Sequence, residues 1–362
     1  MIFLSEKQYR LLLKIAADDF SEGNPQKISG AIEIILKDHQ PSFRHLAPII
    51  YKHLKKRSKL KGIASSDFSK LTQIYYSQVA VNLIYENWLN DFIKDSLPGG
   101  VTIILLKGAA FKGTIYAHDM PRASCDLDML VKPGDFHMMC DVLAAIGREK
   151  TRDSARKITN AVIHERSFVI DDTIPIAIDL HHKITQPYIF DINYKDIRET
   201  SVPHPSYRSE NVRVFATEDA ILHQALHSYY DSYYSPQSII DTFFLIKNGS
   251  PDFSRLISLA KSRGVGTLLY SLLRQIVFYL GDVFDKEILE ELKPDKARLL
   301  LLDRLFPCFF KASPKAIAKS KTHQIAALGL LTKAGGPLLF GVYYLQTRLA
   351  DKITRLLAPK DS

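Results

Sequence analysis

Two aspartates one residue apart, Asp126 and Asp128, stand at the start of a short apolar run, Leu127–Val131, and a third, Asp179, lies near the end of another, Ile174–Leu180. Side chains alternate along a strand, so Asp126 and Asp128 share one face while Leu127, Met129 and Val131 take the other. Neighbouring carboxylates repel each other and lose hydration, so a chain that keeps them together calls for a cation. Magnesium suits them. It takes hard oxygen ligands, keeps several waters and is held by one or two carboxylates plus substrate phosphates. In Ile174–Leu180 the isoleucines alternate onto one face and leave Pro175, Ala177 and Asp179 on the other. A third carboxylate there completes a two-metal site, with ions about 3.5–4 Å apart that hold the attacking and leaving oxygens of an in-line displacement.

The elements that must position these groups can be read around them. Val101–Leu106 has four β-branched residues in six and reads as a strand ending in Lys107-Gly108. Gly108 has no Cβ, so the backbone can turn sharply there and approach a ligand. A short helix and a loop then lead to the strand Leu127–Val131. Lys132-Pro133-Gly134-Asp135 is a turn, and Phe136–Ile146 is a periodic helix. Strands follow near Arg166–Ile170 and Ile174–Leu180, with Asp171-Asp172-Thr173 as a hairpin turn between them. That hairpin brings Asp179 into the sheet of Asp126 and Asp128. From Pro187 to Arg213 the chain reads as a long connection with a short helix around Tyr194–Glu199.

This constellation resembles the nucleotidyltransferase superfamily that includes DNA polymerase β. Within it the pattern looks most like a bacterial family marked by a Leu-Lys-Gly turn, an Arg before an Asp-x-Asp strand, and a later Asp-Leu-His. Here these are Leu106-Lys107-Gly108, Arg122, Asp126-Leu127-Asp128 and Asp179-Leu180-His181. The resemblance implies that Asp126 and Asp128 bind the nucleotide-bearing metal and that Asp179 completes the second metal site and activates the acceptor hydroxyl. It places Gly108 and Ala109 where NTP phosphates approach the backbone at a helix N-terminus. Lys107 and Arg122 supply cationic contacts to those phosphates, and His181 and His182 line an acceptor site. Ala109 stands where many members carry Ser, and His182 where an aromatic such as Trp is expected. The implied cofactor is Mg2+ or Mn2+ with an NTP as substrate.

The fold class that follows is α+β: a small mixed β-sheet nucleotidyltransferase core (98–213) flanked by an N-terminal helical domain (1–97) and a C-terminal one (214–362). Helices are expected near Glu6–Ala17, Ile28–His39, Phe43–Lys56 and Phe68–Ser96 before the core. After it they are expected from Thr217 through His227 and at Pro236–Lys247, Phe253–Arg263, Thr267–Leu280, Lys286–Leu292 and Lys296–Phe306, each with apolar residues at helical spacing. The chain of 362 residues carries a net charge of +9 and a pI near 9.2, which suits a phosphate-rich partner or an anionic surface. Cys125, Cys140 and Cys308 are odd in number and widely spaced, giving neither a disulfide framework nor a zinc site, and a reducing cytoplasm fits. The stretch Gln324–Leu357 is too broken by Lys333, Gly335, Gly336 and Pro337 to span a bilayer; packing on the helices is the favoured reading over a surface-lying membrane helix.

Each group has an ordinary alternative. Lys107 can serve as an ion-pair partner of a carboxylate, and Arg122 can buttress Asp126 or Asp128 without touching phosphate. His223 and His227 have metal-ligand spacing but no Glu after His223, so they read as core histidines. Gly264-Val265-Gly266 reads as a turn between helices, and the basic run Lys52–Lys61 as a solvated helix end and loop. The expected activity is transfer of an NMP from an NTP to an acceptor hydroxyl or phosphate, with pyrophosphate released. A small molecule or modified peptide is favoured as acceptor over RNA. The alternative is a non-catalytic relative that binds nucleotide or RNA as a partner module.

Overall fold

The computed structural model describes residues 5–19, 25–36, 44–57, 64–150, 165–184, 190, 192–230 and 235–305. These fall into two compact units. The sheet unit takes the described parts of Asn87–Ala110 and Cys125–Phe215, and the helical unit those of Met1–Glu86, Phe111–Ser124 and Ala216–Leu330. The basic run's last residues, Cys308 and Gln324–Leu357 lie outside the described residues.

The sheet unit is built on β1 (Ile103–Leu106), β2 (Leu127–Val131), β3 (Arg148–Glu149), β4 (Glu165–Ile170), β5 (Ile176–His181), β6 (Val202–Pro203) and β7 (Val212–Val214). They form one sheet in the order β3-β4-β5-β2-β1-β7-β6. β2 and β5 run parallel, as do β1 and β7, and the remaining neighbours are antiparallel, so the sheet is mixed. Every residue of β1 and β2 is buried, which is why β1 reads as an unbroken apolar run and β2 as one interrupted by Asp128 alone. In β5 the alternation is clear: Ile176, Ile178 and Leu180 are buried while Ala177 and Asp179 are half-buried. The register pairs β4 with β5 through Ser167 opposite Asp179 and Phe168 opposite Ile178. The isoleucine face of β5 therefore joins Phe168, which is fully buried, in the core.

The helix Phe136–Ile146 packs on β3, β4 and β5. It does so on the Phe168 side, because Arg166, two residues before Phe168 and on the same face, lies with its guanidinium 5.9 Å from the Phe136 ring centroid. Its end is followed by Gly147, where a Cβ would lie 2.3 Å from Ile170 Cδ1 and 2.7 Å from the Val169 carbonyl oxygen. Glycine is required there by the close approach of the chain to β4. The segment expected as a long connection with a short helix, Pro187–Arg213, has that helix at Tyr194–Thr200 and also contributes the short strands β6, at the sheet edge, and β7, which pairs with β1. Two- and three-residue strands leave too little periodicity to be seen in sequence.

The helical unit joins both ends of the described chain. Its first helix, α1 (Glu6–Ala16), is started by a capping box in which Ser5 and Gln8 satisfy each other's backbone N–H groups. Its Leu12, Leu13, Ile15 and Ala16 are buried, and it packs on α2 (Pro25–Leu36) and α3 (Ala47–Lys56). α4 (Ser65–Asp95) leads towards β1, and α5 is the single turn Lys107–Phe111 after β1. With α6 for Phe136–Ile146 and α7 for Tyr194–Thr200, the later helices are α8 (Thr217–Tyr230), α9 (Pro236–Gly249), α10 (Phe253–Ser262), α11 (Gly266–Leu280), α12 (Lys286–Leu292) and α13 (Lys296–Leu305). α8 packs on α9, α10 and α11, and α1 packs on α11, with the Tyr9 and Tyr279 rings 4.8 Å apart. The helices drawn as separate N-terminal and C-terminal domains thus share a core, because sequence separation says nothing about which apolar stripes meet. None of the described helices is long and apolar enough to cross a membrane.

Candidate active site

Asp128 lies within β2 and is 3% exposed. Its Oδ1 accepts from the Lys107 ammonium at 3.2 Å and sits 3.1 Å from His181 Nε2. The other ring nitrogen of His181, Nδ1, is 3.3 Å from Glu165 Oε2. A neutral imidazole has one N–H and can donate to only one of these carboxylates at a time. The register explains how the groups come together. Asp128 is directly opposite Asp179 on parallel β2 and β5, and His181 is directly opposite Glu165 on antiparallel β5 and β4. Residues two apart on a strand share a face, so Asp128, Asp179, Ser167, His181 and Glu165 all belong to one face of the sheet. Asp126, just before β2, is half-buried.

Burial by itself would push the Asp128 carboxyl upward, but the His181 bond and the Lys107 charge outweigh it and hold the group well below the usual carboxylate range. Lys107 responds in kind. Burial acts against its charge, yet Asp128, Asp126 and Glu165 raise it above the ordinary lysine value. Burial together with the charges of Asp126 and Asp128 pushes the neighbouring Cys125 thiol up, so it stays protonated and is a poor nucleophile.

Lys107 has φ 46°, the left-handed region. A side chain pays roughly 1–2 kcal/mol for that conformation. The sharp turn expected at Gly108 is thus made one residue earlier, on the residue whose ammonium reaches Asp128. Only one turn follows, since α5 spans five residues, and the macrodipole expected to meet phosphate is correspondingly small. Ala109 contributes its carbonyl, which lies 3.1 Å from His204 Nε2.

Two expected residues sit elsewhere. Arg122 belongs to the helical unit, where its guanidinium bonds Asp241 through Nε at 2.9 and 3.1 Å and through Nη2 at 2.6 Å. Tyr116 and Gln237 also donate to Asp241 Oδ1, at 2.6 and 2.8 Å. Asp241 is 1% exposed, so Arg122 is the counter-charge of a buried carboxylate. His182 follows β5 with its ring 4.3 Å from that of Phe136. Alternation sends it to the α6 side, opposite His181 and the carboxylates. His223 is buried and His227 half-buried on α8 in the helical unit, as core histidines, and Gly264 with φ 73° turns the chain between α10 and α11.

Two residues that bear on the site escaped the sequence. Glu165 stands one residue before the expected strand start, and only the β4–β5 register aligns it with His181. His204 is buried in the stretch read as a connection.

The donor chemistry of Asp126, Asp128 and Asp179 suits a hard divalent cation, and the register puts two of them side by side. Among the described residues, however, no three His, Cys, Asp or Glu side chains are gathered as closely as a bound ion requires. The cation now at Asp128 is the ammonium of Lys107, and both close contacts fall on Oδ1.

No curated protein matches this sequence. A family model described as "Uncharacterised nucleotidyltransferase" matches residues 42–281, about two thirds of the 362-residue chain and the whole of the site face described above, and the chain belongs to that family.

Proposed function

We propose that the protein is a magnesium- or manganese-dependent nucleotidyltransferase of the DNA polymerase β type that transfers an NMP from an NTP to an acceptor hydroxyl or phosphate. The observation that carries the reading is the direct pairing of Asp128 with Asp179 on parallel strands, with the Lys107 ammonium at Asp128. Asp126 and Asp128 would hold the nucleotide-side metal, and Asp128 and Asp179 a second. A divalent ion bound there would neutralise triphosphate charge and make the acceptor oxygen a better nucleophile.

The acceptor oxygen attacks the α-phosphorus, the bond from that phosphorus to the bridging oxygen breaks, and pyrophosphate leaves. Asp179, half-buried on the site face, takes the acceptor's proton. Lys107 moves from Asp128 to the triphosphate, exchanging one anionic partner for another. His181, held from the far side by Glu165, fixes the Asp128 carboxylate while that exchange takes place. Little covalent work falls to the protein; its contribution is position and charge. The acceptor favoured by this reading is a small molecule or modified peptide ahead of RNA.

The second reading, a nucleotide-binding relative without catalysis, draws on one specific observation: Lys107 and His181 already occupy Asp128 Oδ1. Incubation with α-labelled NTPs, magnesium and fractionated cell extract separates the two. Label moved by the wild type and not by Asp179→Asn supports transfer; tight NTP binding with no label in any fraction supports the silent relative.

A further inference from the structure

We propose that His204 is a positioning residue for the turn Lys107–Ala109, acting on nucleotide binding through the Ala109 carbonyl; the nucleotide part of this inference rests on the function proposed above. His204 is 2% exposed and lies just after β6. The backbone N–H of Ser206 donates to its Nδ1 at 3.1 Å, which makes that nitrogen the bare acceptor of the ring. The ring proton therefore sits on Nε2, which donates to the Ala109 carbonyl at 3.1 Å. The backbone of His204 is fixed too, its N–H donating to the Val212 carbonyl at 2.9 Å beside the β6–β7 pairing. The imidazole is thus a rigid strut from the edge strands to the turn.

The turn needs such a strut. α5 is a single helical turn, too short to hold itself, and it follows a lysine in the left-handed region. A strained residue persists only where its surroundings over-determine it. Asp128 attracts the Lys107 ammonium from one side, and His204 ties the backbone two residues on. Loss of His204 frees the turn to relax, and with it the placement of the Lys107 charge and of the Gly108 backbone. This assigns a purpose to the segment Val202–Val214, which otherwise only extends the sheet.

The test compares His204→Ala and His204→Gln with His53→Gln. His53 is an equally buried histidine whose Nδ1 lies 2.9 Å from the Ile15 carbonyl oxygen in the helical unit. Two quantities are read: hydrogen exchange of the Gly108–Phe111 amides, and calorimetric affinity for the α,β-methylene analogues of ATP, GTP, CTP and UTP with magnesium. His204→Ala is expected to speed exchange and weaken analogue binding by about tenfold each, the scale of one net hydrogen bond. His204→Gln, whose amide N–H can reach the same carbonyl, should recover part of both, and His53→Gln should change neither. Unchanged exchange in His204→Ala, or equal weakening by His53→Gln, would overturn the inference. Should the wild type bind none of the analogues, the nucleotide reading is what fails, and the exchange arm alone decides for or against the strut.

Discussion

Asp128 and Asp179 occupy directly opposed positions on the parallel strands β2 and β5, although 51 residues separate them in the chain. Neither strand could place its carboxylate alone. The β4–β5 hairpin carries Asp179 alongside β2, and the isoleucine face of β5 locks the register, because a one-residue slip would turn Asp179 into the core.

Asp128 should be a stabilising as well as a functional residue. Asp128→Asn leaves Lys107 and His181 without their shared anion, and the expected cost is about 3 kcal/mol, as for breaking a buried pair. Asp126→Asn, at the half-buried edge of the strand, should unfold near the wild-type midpoint. Urea unfolding of both variants checks this, and a fully stable Asp128→Asn would contradict it.

The sign of the pH dependence follows from the same pair. Asp128 titrates below its unfolded value, so its contribution is complete above about pH 4 and fades as pH falls through the folded value. Lys107 titrates above its unfolded value, so its contribution is complete below about pH 10 and fades as pH rises further. Unfolding free energies of Asp128→Asn should therefore fall less steeply between about pH 4 and 2 than those of the wild type. Parallel profiles in the two proteins would refute this.

Lys107→Met should bind Mn2+ more tightly than the wild type in the absence of nucleotide, by about tenfold, since an ammonium in contact with a carboxylate competes with the ion. The same variant should bind NTP more weakly. Electron paramagnetic resonance counts free Mn2+ directly, and an unchanged or weaker Mn2+ affinity would show that Lys107 does not stand in an ion's place.

Arg122→Gln should destabilise the helical unit by about 3–5 kcal/mol, because it strands the Asp241 carboxylate in the core. The double variant Arg122→Gln with Asp241→Asn should recover part of that loss, which a double-mutant cycle measures. Additive losses would mean that the pair is not coupled.

Gly147→Ala should cost about 1–3 kcal/mol, as for overpacking, since its Cβ would press on Ile170 and on the Val169 carbonyl. A thermal melt unchanged by the substitution would contradict the close approach.

Much of this was legible in the residues. Leu127–Val131 and Phe136–Ile146 read correctly to the residue, because an apolar run broken by one carboxylate and a clear 3.6-residue period leave little choice. Asp128 and Asp179 were visible as carboxylates set inside short apolar runs. What could not be read was pairing across the chain. Glu165 became part of the site only through the register with His181, His204 through a bond to a backbone carbonyl 95 residues away, and Arg122 was drawn to Asp241, 119 residues on. A buried carboxylate attracts the nearest guanidinium whatever motif that arginine completes in the sequence.

The most direct test of the central claim is single-turnover transfer from α-labelled NTP, with Asp126→Asn and Asp179→Asn beside the wild type and each protein first shown to be folded. The wild type is expected to transfer label with release of pyrophosphate, in a magnesium- or manganese-dependent manner, and either variant at least about a hundredfold less. Transfer that survives in both variants would contradict the assignment of the paired carboxylates.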